Sequence, residues 1–272
     1  MIAEAGGRID YDVSGNERGP TIVLIPGSCS TGAAWRPVIA ALGDRFRYVT
    51  TSLPGYGGTT ERRTPDNPEI SQAADVLFSV IQRSGSRRVH LVGHSFGGLV
   101  ALAAVIRNPA PVASLTIVEA PAAELLQATG EHLHYQAFRD MTEAYFASHR
   151  AGDKQAIATM IDFYGGAGTF ASWPERVRAY AVGTTPVNIL DWASAFTFPL
   201  SPSMLGGVDL PVLVLRGGAS HPAVRRANEL LSVHVRGATL VTIAGAAHFM
   251  ISTHAEDVAG AIAAHVAGVG NA

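Results

Sequence analysis

The sequence predicts an α/β domain with a doubly wound, mostly parallel sheet, interrupted once by an inserted helical subdomain. Three observations carry this. Short apolar runs recur along the chain. They alternate with helix-like segments. The alternation stops between about residues 122 and 207. Continuous apolar runs are what strands buried on both faces look like. Strands that alternate with helices imply a parallel sheet covered on both sides.

In chain order the runs are "TIVLI" (21–25), "RYVTTSL" (47–53), "RVHLVG" (88–93), "SLTIVE" (114–119), "PVLVLRG" (211–217) and "ATLVTIAG" (238–245). Helical patterns fall at about 71–83, 96–107, 222–232 and 255–267. The sheet domain is therefore expected to use residues 1–121 and 208–272, with 122–207 as the insertion. Within the insertion, 133–149 places Leu133, Ala137, Phe138, Met141, Ala144 and Tyr145 on one helical face. The insertion holds 12 of the chain's 20 aromatic residues. They read either as the core of a small bundle or as the lining of an apolar substrate cleft. The tail "AGVGNA" is expected to fray.

With 272 residues, 47% hydrophobic and 15% charged, the chain suits one large domain with an inserted subdomain. The formal charge is -2 and no long single-sign run occurs, so no nucleic-acid surface is expected. The pair Arg62-Arg63 lies in a polar loop and is expected to be a solvated turn. One cysteine excludes an internal disulfide and fits a reducing compartment. The start "MIAEAGGRIDYDV" lacks a signal-peptide pattern, and no apolar stretch reaches the roughly 18 residues of a membrane span. A cytoplasmic protein with no membrane partner is the expectation.

The most specific motif is Gly93-His94-Ser95-Phe96-Gly97 within "VHLVGHSFGGLV". This is G-x-S-x-G between a buried strand and a helix, the context in which such a serine becomes a nucleophile. The sharp turn strains the serine backbone and lifts its hydroxyl above the sheet edge. Gly93, Gly97 and Gly98 let strand and helix approach closely. The first helix amides face the same space, where they can stabilise negative charge.

With this motif, and others spread over nearly its whole length, the chain resembles the α/β-hydrolase fold superfamily, as a serine hydrolase with a helical cap. The insertion at 122–207 is then similar to that family's cap domain. The resemblance implies a Ser–acid–His relay in that chain order.

The nucleophile needs a base. His248, in "TIAGAAHFM", follows the last apolar run and precedes the last helix, so its loop opens at the sheet edge that carries Ser95. The family places its catalytic histidine in the same spot. His90 is expected to be packed in its strand, and His94 to point away from Ser95 and support the turn. His132, His134 and His149 fall in the insertion, His265 in the final helix, and His234 and His254 near element ends. None has metal-ligand spacing, so neither a metal nor an organic cofactor is expected.

An acyl oxyanion needs two backbone N–H donors. One is expected from Phe96, the residue after the nucleophile. The loop "PGSCSTGAAW" (26–35) is similar to the family's His-Gly-x loop, and Gly27 and Trp35 keep its spacing, which implies Ser28 as the second donor. Pro26 stands where the family usually has His. Cys29, next door, has no partner pattern and reads as packed. Ser52, in "SLPGYGGT", replaces the family's usual Asp.

The acid is the departure. In "VLVLRGGASH" the family's usual Asp position is Ser220, and Leu210 to Asn228 contains no Asp or Glu. Serine can hold a tautomer but supplies no charge. Glu119, ending "SLTIVE", is the expected acid, since some family members place theirs there and a buried Glu requires a partner. The alternatives are an ordinary hinge Glu, or Ser220 helped by water or by Asp191.

The expected activity is cleavage of an ester, lactone or similar acyl bond of a fairly apolar small molecule, through an acyl-enzyme on Ser95. The alternatives are a C–C bond hydrolase or hydroxynitrile-type lyase on the same fold, or a ligand-sensing protein with weak turnover. A serine nucleophile argues against dehalogenase and epoxide hydrolase chemistry, which use Asp in this family. The partner expected is a small-molecule acyl substrate, with a homodimer left open.

Overall fold

Each apolar run of the sheet domain forms a strand, and the computed structural model describes residues 2–4, 7–108 and 112–270. The strands are β1 (Ile2–Glu4), β2 (Gly7–Ile9), β3 (Tyr11–Gly15), β4 (Thr21–Ile25), β5 (Arg47–Thr51), β6 (Val89–His94), β7 (Val112–Val118), β8 (Val212–Gly217) and β9 (Thr239–Ile243). β1 and β2 form a separate antiparallel pair. The other seven form one sheet in the order β3-β5-β4-β6-β7-β8-β9. β3 is antiparallel to β5, and every other pairing in this sheet is parallel.

The two-residue period of a strand divides the core. Ile22 and Leu24 of β4 pack with Val38 and Leu42 of helix Arg36–Leu42, and with Val258, Ile262 and Val266 of helix Ala255–Gly270. Val23 and Ile25 face the opposite core, with Leu77 and Val80 of helix Ser71–Ser84 and Leu99 and Leu102 of helix Phe96–Arg107. Burial on both faces explains why β4, β6, β7 and β8 read as continuous apolar runs.

Some elements differ from expectation. β3, "YDVSG", is an exposed edge strand with no continuous apolar run, and the helix Arg36–Leu42 was not anticipated. β7 ends at Val118, so Glu119 lies just past the strand. The final helix continues to Gly270 instead of fraying at "AGVG", while Asn271 and Ala272 lie outside the described residues.

Between β7 and β8 the described chain is helical, from Ala123–Ala128 to Pro202–Gly206. In helix His132–Arg150 the buried stripe is Phe138, Met141, Thr142 and Tyr145. Leu133 is 87% exposed and Ala144 is exposed, contrary to the expected face. Leu133 lies five residues from Phe138, about 140° round the helix, and so falls off that stripe. Among the described residues no helix is long and apolar enough to cross a membrane.

Candidate active site

Ser95 sits between β6 and helix Phe96–Arg107 with φ 54° and ψ -127°. Three non-glycine residues among those described have positive φ: Cys29, Ser95 and Glu119. They follow β4, β6 and β7, which are neighbours in the sheet. Such backbone persists only where surrounding contacts over-determine it, and it concentrates at functional sites. The turn requires its glycines. A Cβ on Gly93 would lie 2.6 Å from the Gly98 Cα, and one on Gly97 would run into the Pro26 carbonyl.

His248 is 2% exposed and Glu119 is fully buried. The His248 Nδ1–H donates to Glu119 Oε2 at 2.9 Å. The other carboxylate oxygen, Oε1, accepts the Gly217 N–H at 2.6 Å. A carboxylate on Nδ1 selects the Nδ1–H tautomer and leaves Nε2 as an acceptor. Asn228 fixes the backbone beyond Glu119: its Oδ1 accepts the Ala120 N–H at 3.0 Å, and its Nδ2 donates to the Ala120 carbonyl at 3.1 Å. The Tyr164 ring lies 4.0 Å from the His248 ring, centroid to centroid.

Ser95 and His248 line one cavity of about 880 Å³. No hydrogen bond joins the Ser95 hydroxyl to His248 among the described residues. Catalytic hydrogen bonds are often long before substrate arrives. Phe96, Tyr164, Trp173, Tyr180, Trp192 and Phe249 supply aromatic wall. The aromatics of the helical segment thus divide, with Tyr164, Trp173, Tyr180 and Trp192 lining the cavity and Phe138 and Tyr145 fully buried in core.

His94 does not point away from the site. It lines the cavity, and its Nε2–H donates to the His248 carbonyl at 2.9 Å. Burial, with the neighbouring His248, pushes His94 down to about 3, so it stays neutral. It supports the His248 loop, not only the turn. His90 is buried, with Nδ1 2.8 Å from the Ser114 hydroxyl. None of the other histidines lines the cavity. Among the described residues no group of three or more His, Cys, Asp or Glu is arranged to hold a metal ion.

The loop after β4 closes against Ser95. A Cβ on Gly27 would lie 2.8 Å from the Ser95 Cβ. Ser28 and Phe96 both line the cavity. Phe96 opens its helix, so its N–H has no intrahelical acceptor. Burial, then the Asp191 charge, pushes the Cys29 thiol up to about 12, which leaves it a poor nucleophile. Trp35 is fully buried. Ser52 donates to Asp10 Oδ2 at 2.7 Å and accepts the Gly32 N–H at 3.2 Å.

Neither alternative partner reaches His248. The buried Ser220 hydroxyl has no hydrogen-bond partner among the described residues. The "GGASH" loop contributes the Gly217 N–H instead, which steadies Glu119. Asp191 accepts from the Ser28 hydroxyl at 2.5 Å and from the Tyr56 hydroxyl at 2.6 Å. The expected solvated turn at Arg62-Arg63 holds for Arg62, which is exposed, but not for Arg63. Arg63 is 4% exposed and bridges Glu61 at 2.7 Å and Asp191 at 2.8 Å. A buried guanidinium needs such partners: Glu61 is two residues away in the same loop, and Asp191 comes from a helix over a hundred residues later in the chain. No local signal marks Arg63, Tyr56, Tyr164 or Asn228 as part of the site.

Comparison with known proteins adds the family. The family profile described as the alpha/beta hydrolase fold matches residues 20–255. A stretch of 120 residues is 33% identical to a putative carbamate hydrolase, RutD, of Agrobacterium fabrum, covering 44% of this chain and 43% of that protein. The polyketide synthase ThaQ of Burkholderia thailandensis is 26% identical over 94% of this chain, which corresponds to 12% of that protein. The chain thus spans less than half the length of these relatives. Among solved structures, the enol-lactonase from Burkholderia xenovorans superimposes with a TM-score of 0.77 at 19% identity, over 98% of this chain and 99% of that one. A thermophilic esterase from Thermogutta terrifontis gives 0.74 at 21% identity, over 98% and 96%. At these identities the structures speak for the fold alone. With the profile matching most of its length, the chain belongs to the α/β-hydrolase fold family.

Proposed function

We propose that this protein is a serine hydrolase that cleaves an ester, lactone or similar acyl bond of a fairly apolar small molecule. The observation that carries the reading is the buried Glu119–His248 pair, in the cavity that Ser95 also lines. In this reading Ser95 attacks the substrate carbonyl while His248 Nε2 takes its proton. Glu119 holds the tautomer and stabilises the imidazolium that forms. The Ser28 and Phe96 amides receive the oxyanion. His248 then protonates the leaving group, and water, activated by the same histidine, releases the acyl group from Ser95. The helical segment 122–207 acts as a cap, and its aromatic wall favours apolar substrates. The chemistry draws on this chain's own side chains and water. A relative named as a putative carbamate hydrolase supports acyl chemistry, and the enol-lactonase and esterase neighbours share the fold.

The test is a panel of activated esters and lactones on wild type and Ser95→Ala. The proposal expects turnover with an acyl-enzyme burst, lost in Ser95→Ala. Product without a burst would favour the C–C hydrolase or lyase alternative. Tight ligand binding with negligible turnover would favour a sensor.

A further inference from the structure

One buried charged cluster beside the cavity has no part in the relay. Asp191, on helix Thr185–Thr197, is 2% exposed, and every partner it has is a donor. Its Oδ2 accepts from the Ser28 and Tyr56 hydroxyls at 2.5 and 2.6 Å, and its Oδ1 accepts from Arg63 at 2.8 Å. Arg63 is held in turn by Glu61, with Nε–Oε1 at 3.0 Å and Nη2–Oε2 at 2.7 Å, and it donates to the Ser194 hydroxyl at 3.1 Å. Its guanidinium also lies 5.6 Å from the centroid of the Phe96 ring.

Burying two charges costs several kcal/mol each, and packed apolar groups often give equal stability. Such a cluster therefore earns attention where it fixes a geometry. Here it touches both residues proposed above as oxyanion donors, Ser28 and Phe96. Ser28 is gripped by its hydroxyl, and Phe96 is covered by the guanidinium. The next residue, Cys29, has φ 56°, so the loop sits in a conformation that needs outside support. A side chain held at 2.5 Å by a fixed carboxylate supplies it.

We propose that Asp191 is a positioning residue for the oxyanion site. Anchored by Arg63, it grips the Ser28 hydroxyl and so holds the Ser28 N–H beside that of Phe96. Because Asp191 comes from the helical segment over the sheet, the oxyanion site is complete only while helix Thr185–Thr197 is docked. Lifting that helix disarms the nucleophile without touching it. This rests on the hydrolase reading and adds a control over it.

Ser28→Ala deletes the hydroxyl and keeps the amide, so it isolates the grip from the donor. The assay uses an activated ester that wild type turns over, with a matched trifluoromethyl ketone as the oxyanion probe. Loss of a whole donor costs about 100-fold or more, so a displaced one is expected to lower kcat at least about tenfold. Ser28→Ala and Asp191→Asn should each do this with KM within about threefold, and each should weaken the ketone by the same factor as kcat. The double variant should be no worse than the single ones, because both remove one interaction. Ser28→Thr, which restores the hydroxyl, should recover most of the rate. Wild-type kcat and ketone affinity in Ser28→Ala, or losses that multiply in the double variant, overturn the proposal. If Asp191→Asn does not fold, Ser28→Ala against Ser28→Thr still decides it. Turnover that survives Ser95→Ala would remove the hydrolase reading instead, a distinct result.

Discussion

Glu119→Gln is the most informative single change at the proposed relay. The native carboxylate accepts two hydrogen bonds, from the Gly217 N–H at 2.6 Å and the His248 Nδ1–H at 2.9 Å. Glutamine has one acceptor and one donor end, so it cannot satisfy both. If its oxygen keeps Gly217, its NH₂ faces His248 and forces Nδ1 to accept. The proton then moves to Nε2, where Ser95 would have to deliver its own. The equivalent tautomer error in a serine triad costs about 10⁴ in kcat, which is about 5 kcal/mol of transition-state stabilisation. If the amide turns the other way, its NH₂ meets the Gly217 N–H, two donors in a fully buried site. Folding is less affected, since removing the buried charge offsets a lost hydrogen bond worth about 1–3 kcal/mol. The assay is kcat on an activated ester with Ser95→Ala as the floor, alongside thermal unfolding to show that the variant is folded. A folded Glu119→Gln within about threefold of wild type refutes the assignment of Glu119 as the acid.

Three further predictions follow from the same geometry. Ser220→Ala should leave kcat within about threefold and leave stability unchanged or raised, because it removes a buried hydroxyl that has no partner among the described residues; a large rate loss would return Ser220 to the relay. Gly27→Ala should slow turnover about tenfold or more, since its Cβ would lie 2.8 Å from the Ser95 Cβ and push the loop back; unchanged kinetics would show that the loop does not set the oxyanion site. Burial holds His94 down to about 3 against an ordinary value of 6.5, so the unfolded chain binds more protons below pH 6.5. Stability should therefore fall as pH drops from about 6.5 toward 3, by roughly 1 kcal/mol per unit from this residue, and urea midpoints for His94→Gln should decline less steeply; equal slopes would contradict it.

The strands buried on both faces were legible because they write themselves as unbroken apolar runs. β3 was not, because this exposed edge strand, "YDVSG", carries no continuous apolar run. Ser95 was legible because the elbow's close approach demands glycines at fixed local spacing. Glu119 was expected as the acid because the resemblance implies that position in some family members and the loop ending in Ser220 offers no carboxylate; its position just past β7 places it beside β8 and Gly217. What stayed hidden is what depends on long-range packing. Arg63 reads as a surface residue because its partner Asp191 is 128 positions away in the chain. Tyr164 and Asn228 likewise gain their roles only when the helical segment and the helix after β8 fold onto the sheet edge.

The account's central claim is that Ser95 is a nucleophile driven by the His248–Glu119 pair. The direct test is intact-mass and peptide mapping after treatment with a fluorophosphonate ester, an acyl-transfer mimic that bonds an activated serine. The account predicts one adduct, on Ser95, absent in Ser95→Ala and formed far more slowly in Glu119→Gln. An adduct that persists in Ser95→Ala, or no adduct on folded wild-type protein that turns over esters, would contradict it.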